Sequence, residues 1–148
     1  MRFLGLPFLR FLEPLGPLMA RIGVGLVMAL HGWVKFQSGS EGWVTGEMLN
    51  TLTKGAVPAD PRIAWLVLLT EIIAGVLLVL GLLTRISAIS LSIVMLVALV
   101  TFKGFAFLTP ETQVWSGELD WVILFSALAL VFIGPGPISL DKLLGIDD

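Results

Sequence analysis

The sequence predicts an all-α fold, a four-helix transmembrane bundle with N and C termini on the same side. Three observations predict it. The 148 residues are 57% hydrophobic and 14% charged, against roughly 25% charged residues in soluble domains. Mean hydropathy is +0.99. Two apolar runs, 63–83 and 86–101, are each about long enough to cross a hydrocarbon core of roughly 30 Å. Only Thr84 and Arg85 part them, so two antiparallel helices joined by a tight turn are expected.

One membrane domain over residues 1–148 is expected, with helices at about 17–36, 62–83, 86–102 and 118–133. Before the first helix, Pro7 and Pro14 break up an apolar segment carrying Arg2, Arg10 and Glu13, which suits a segment lying on the membrane. Pro17 fits a helix first turn. In helix one, Arg21, Gly25, Met28, Gly32 and Lys35 share a face at about 100° per residue. Gly25, Ala29 and Gly32 form a small-residue seam that lets another helix approach. The loop 37–61 has apolar residues at helical spacing, Trp43, Val44, Met48, Leu49 and Leu52, and reads as an amphipathic surface helix. Asp60 and Pro61 suit the start of helix two. Helix three carries Ser87, Ser90, Ala98 and Thr101 along one face, a stripe expected to pack inward. Gly134-Pro135-Gly136-Pro137 stops helix four, since prolines cannot continue a helix.

Four helices place both ends together. With those ends inside, Arg2, Arg10, Arg21, Arg85 and Lys142 face the cytoplasm and Lys35, Lys54, Arg62 and Lys103 face out, a narrow vote for cytoplasmic termini. Trp33, Trp43, Trp65, Trp115 and Trp121 all fall on the opposite side, as an aromatic belt or the rim of a site.

Composition also excludes chemistry. Without cysteine there are no disulfides, thiol redox or iron–sulfur ligation by this chain. One histidine, His31, cannot supply a bis-His haem or a His-rich metal site. No basic patch suits nucleic acid. Redox chemistry here needs an organic carrier such as a quinone, or a partner subunit's cofactor.

The candidate site centres on Glu71, a carboxylate inside an apolar helix. Such a group costs on the order of 2.5–3.5 kcal/mol to insert and must pair, protonate or face water. Counting helix depth, Arg21 and His31 are its expected partners, each about 7–8 Å away along the axis at about 1.5 Å per residue. Two readings stay open: a buried ion pair fixing helix register, or a catalytic site in which Glu71 and His31 handle protons or bind a quinone carbonyl. On the second reading Arg21, Lys35, Trp33 and Trp65 are ligand-binding, in a pocket between the first two helices. His31 titrates near neutral pH and shares a side with Lys35; the plainer reading is a hydrogen-bonded histidine with Lys35 reaching for headgroups. Arg85 reads as a topology anchor. Glu118 and Asp120, with Glu111 nearby, complement a helix dipole. No metal site is expected.

RIGVGLVMALHGWVKF in the first helix, EIIAGVLLVLGLLTRISAISLSIVMLVAL across the next two and GPGPISLDKLL at the end, in that order and spacing, resemble the DoxX family of small four-helix bacterial membrane proteins. The resemblance covers most of residues 21–144. Matching positions are Arg21, Gly32, Lys35, Glu71, Gly81, Arg85, Gly134, Gly136 and Asp141. The long aromatic first loop departs from the pattern. The resemblance implies a bacterial inner-membrane location with cytoplasmic termini, a tie to quinone-linked redox systems, and no single reaction. Three functions follow in order: a membrane subunit of a quinone-linked redox assembly, without a redox centre of its own; a non-catalytic anchor or assembly subunit; a small transporter. The lipid bilayer and either other membrane subunits or further copies of the chain are the expected partners.

Overall fold

The computed structural model describes residues 12–37, 61–102 and 117–146. The expected surface segments at the N-terminus and in the first loop, with Trp43 and Trp115, lie outside them. The described residues form α1 (Leu15–Gln37), α2 (Pro61–Leu80), α3 (Thr84–Phe102), α4 (Glu118–Ile133) and the short α5 (Leu140–Leu144). α1 and α2 are each long and apolar enough to cross a membrane, and the apolar part of α3, Thr84–Val100, is slightly shorter.

The four long helices close a ring. α1 packs most extensively on α2 and α3 on α4; α2–α3 contact is intermediate and α1–α4 contact is slight. Each helix buries one stripe. On α1 it is Arg21, Val24, Gly25, Met28 and Gly32; on α2 it is Ala64, Leu68, Glu71, Ala74 and Leu78. α3 contributes Ala88, Leu91, Met95 and Leu99, and α4 contributes Ile123, Leu124, Ala127 and Leu130, to one core.

The outer surface is as apolar as the inside. Leu26, Leu30, Leu66, Ile73, Ile86, Ile93 and Phe125 are exposed, and Phe132 is 79% exposed. Arg21, Glu71, Ser87 and Asp141 are buried instead. Water would penalise that arrangement and hydrocarbon rewards it. The start of α1 meets the segment that follows α4: Pro17 fills the space where a Cβ on Gly136 would project.

The turn between α2 and α3 is not at Thr84-Arg85. Those residues form the first turn of α3, and the chain reverses over Gly81–Leu82–Leu83. Gly81 (φ 69°) takes the left-handed conformation that ends helices at glycine, and its N–H donates to the Leu78 carbonyl (3.0 Å). Leu83 (φ 50°) also lies in the left-handed region, which is strained for a branched side chain. The polarity of Thr84 and Arg85 suggested a loop. The inward stripe on α3 is also placed differently: Ser87 and Ser92 are buried, while Ser90 is half-buried.

Candidate functional site

The α1–α2 interface is built on glycines. A Cβ on Gly25 would stand 2.6 Å from the Gly75 carbonyl oxygen, and one on Gly75 would stand 2.6 Å from the Ala29 nitrogen. Two turns beyond Gly25, a Cβ on Gly32 would lie 2.6 Å from Ile72 Cγ1 and 3.1 Å from Glu71 Cβ. The backbones therefore touch, and the interface is closed. The small-residue seam draws the two backbones together at these glycines.

Above this seam Lys35 reaches back along α1 to Glu71. Its Nζ donates to Oε1 at 2.6 Å and Oε2 at 2.7 Å. Glu71 is 2% exposed and Lys35 25%. Side chains lean toward the N-terminus of their own helix. In an antiparallel pair, a lysine at the top of α1 leans down and a glutamate on α2 leans up, so the two converge. The same lean carries Arg21 downward, away from Glu71. This corrects two expectations: Arg21 is not the partner of Glu71, and Lys35 does not reach out to headgroups.

His31 lies one turn below Lys35 on the exposed side of α1. Its Nδ1 is 3.0 Å from the Val27 carbonyl oxygen. A carbonyl only accepts, so Nδ1 carries a proton in this contact. His31 and Asp120 of α4 both act electrostatically on the Glu71 carboxylate. Trp33 stacks on Phe36 (5.7 Å between centroids) and Phe36 meets Trp65 edge-on (6.4 Å). Phe36 thus links Trp33 to Trp65; its position one turn from Gly32 was the available signal.

Arg21 belongs to a second polar centre at the termini end. It is 1% exposed; Nη2 donates to the Ile138 carbonyl, and Nη1 lies against Gly81 where a Cβ would project. Asp141 lies within electrostatic reach of it. The Asp141 carboxylate accepts from Leu83 N–H (2.6 Å) and Thr84 N–H (2.8 Å), and its own N–H donates to the Gly81 carbonyl (2.8 Å). The chain after α4 therefore caps α3 from outside. Arg85 donates through Nη1 to the Val131 carbonyl on α4.

These features define a class: a small membrane bundle with a largely apolar surface, whose buried charges lie in two centres, one at each end of the helices. The chain belongs to the DoxX family, whose model matches residues 16–104. It is also 28% identical over 127 residues, 86% of this chain and 85% of the relative, to the Bacillus subtilis (strain 168) protein named "Putative oxidoreductase CatD". No solved structure matches the chain.

Proposed function

We propose that this chain is a membrane subunit of a quinone-linked redox assembly in the bacterial inner membrane, with cytoplasmic termini, and that it does not act as an oxidoreductase alone. One observation carries the reading: the Glu71 carboxylate has both oxygens engaged by Lys35 above a closed glycine seam. A group held so is a fixed charge pair that sets helix register, and a substrate would have to displace Lys35 to reach it. The family and the oxidoreductase name of the Bacillus subtilis relative support the redox setting. With no cysteine and one histidine, electrons reach this chain through an organic carrier or a partner's cofactor. The exposed apolar faces of α1 and α4 are surfaces for lipid, for other subunits or for further copies of the chain.

The second reading, a proton-handling site at Glu71 and His31, draws on the exposed His31 ring, held by its Nδ1 contact with the Val27 carbonyl. Native mass spectrometry of the protein extracted in mild detergent from its own membrane tests the assignment. Foreign redox subunits in the complex are expected, together with reduced assembly in Glu71→Gln. A lone chain or homo-oligomer whose quinone-dependent activity is lost in a fully assembled Glu71→Gln would overturn it and favour the second reading.

A further inference from the structure

Past the break that stops α4, exposed apolar side chains resume: Ile138, Leu143 (81% exposed), Leu144 (64%) and Ile146. They stand on a segment of fixed shape. Ser139 Oγ caps α5 by accepting from Lys142 N–H. At the other end Gly145 is left-handed (φ 65°). Its N–H donates to the Lys142 carbonyl, and Ile146 N–H donates to the Asp141 carbonyl (2.9 Å), the paired bonds that close a helix at glycine. Asp141 turns inward and is buried, so Leu143 and Leu144 are held outward on the other side of the short helix.

Hydrogen bonds between Asp141 and the α2–α3 turn set the level of this segment along the bundle. Asp141 N–H donates to the Gly81 carbonyl, and its carboxylate accepts from Leu83 N–H and Thr84 N–H. α2 has 20 residues and so spans about 30 Å, the thickness of the hydrocarbon core. The turn at its end therefore marks the hydrocarbon boundary. α5, with 5 residues, extends about 7–8 Å whatever its tilt, no further than a headgroup layer roughly 5–8 Å deep on each side. Arg85 stands at the same level, exposed, with Nη1 on the Val131 carbonyl, where arginines meet headgroups.

Exposed leucines in the headgroup layer are covered by lipid or by protein. Four aliphatic side chains offer a few hundred Å², less than the roughly 800 Å² per partner of a stable protein interface. Insertion into phospholipid has no such threshold, because each buried apolar group adds its own share. The surface also continues the lipid-facing end of α4, where Phe132 and Ile133 are exposed. We infer that the segment from Ile138 to Ile146 is a membrane foot on the termini side, with Leu143 and Leu144 inserted at the boundary between phospholipid headgroups and acyl chains. Its inner face carries the Asp141 carboxylate that holds the first N–H groups of α3, so the foot ties the α2–α3 turn to the bilayer surface.

The chain has no cysteine, so Leu143→Cys gives a single attachment point for a nitroxide at an exposed side chain. The full chain labelled there, or at Leu144→Cys, is reconstituted in phosphatidylethanolamine/phosphatidylglycerol vesicles. Collision with oxygen, which concentrates in lipid, is compared with collision with a nickel chelate, which stays in water. Phe132→Cys on lipid-facing α4 and the free label in buffer give the two limits. At both leucines the oxygen-to-chelate ratio is expected several-fold above that of the free label, toward the Phe132 value. A ratio equal to the free label puts the leucines in water and overturns the inference. Little collision with either reagent shows that protein from a second copy of the chain covers them, and overturns it as well. Leu143→Asn/Leu144→Asn draws the foot out of lipid and is expected to quicken amide exchange at residues 83 and 84 several-fold in the same vesicles; unchanged exchange overturns the tie between foot and turn.

Discussion

Lys35 Nζ bridges both oxygens of Glu71, at 2.6 and 2.7 Å, from an adjacent antiparallel helix. The two ends of this pair differ in their access to water. Lys35 keeps a quarter of its side chain exposed, while Glu71 is sealed.

That asymmetry sets the cost of breaking the pair. In Glu71→Gln the freed lysine can swing toward the headgroups, because its stem is long enough to follow the helix end outward. In Lys35→Met the carboxylate stays buried with no donor. Removing one partner of a buried pair costs about 3–5 kcal/mol; we expect Lys35→Met near the lower end, about 3 kcal/mol, and Glu71→Gln closer to about 1 kcal/mol. The double variant Glu71→Leu/Lys35→Met should recover most of the Lys35→Met loss, since replacing both charges by apolar groups is often neutral. Denaturant unfolding in detergent micelles checks the order; equal losses in the two single variants would show that Lys35 cannot escape.

The seam makes a second prediction with a control inside the same helix. Gly25→Ala would press its methyl to 2.6 Å of the Gly75 backbone oxygen, which cannot rotate away. The helices must separate, at about 1–3 kcal/mol. Gly23, two residues earlier, has nothing within 4 Å of its Cβ position. Gly23→Ala should stabilise α1 by about 0.5–1 kcal/mol. Opposite signs are therefore expected from two glycine-to-alanine changes in one helix, read as shifts in melting temperature.

The buried faces were legible because helical periodicity is strong. Arg21, Gly25, Met28 and Gly32 are the face that α1 buries, and Glu71 stood out as the one charge in its run. The partner of Glu71 was not legible from depth counting. Axial distance alone ranks Arg21 and His31 equally and omits the direction in which side chains leave a helix, which decides for Lys35. Arg21's actual contact is with Ile138, 117 residues away in sequence, and no local pattern reports such a pairing. The turn was misplaced by following polarity instead of conformation; Gly81 after an apolar run was the better signal. Nothing in the sequence marks Leu83 as left-handed, because its position is imposed by a carboxylate from the far end of the chain.

Asp141 holds Leu83 N–H and Thr84 N–H at 2.6 and 2.8 Å, two donors that begin α3 and have no helical acceptor. Asp141→Ala leaves both unsatisfied, the Thr84 N–H at a buried position at about 1–3 kcal/mol and the Leu83 N–H at a part-buried one at less. Asp141→Asn retains one acceptor oxygen and should lose about half as much. The left-handed Leu83 is then no longer compensated. Replacing it by glycine removes a conformational penalty of about 1–2 kcal/mol, so Leu83→Gly in the Asp141→Ala background should restore part of the loss. Amide exchange at residues 83 and 84 provides the local measurement: fast in Asp141→Ala, intermediate in Asp141→Asn, and as slow as wild type in Lys35→Met, whose defect lies at the other end of the bundle. If exchange at these amides also quickens in Lys35→Met, the two polar centres do not act independently and the register set by Glu71 extends to the α2–α3 turn.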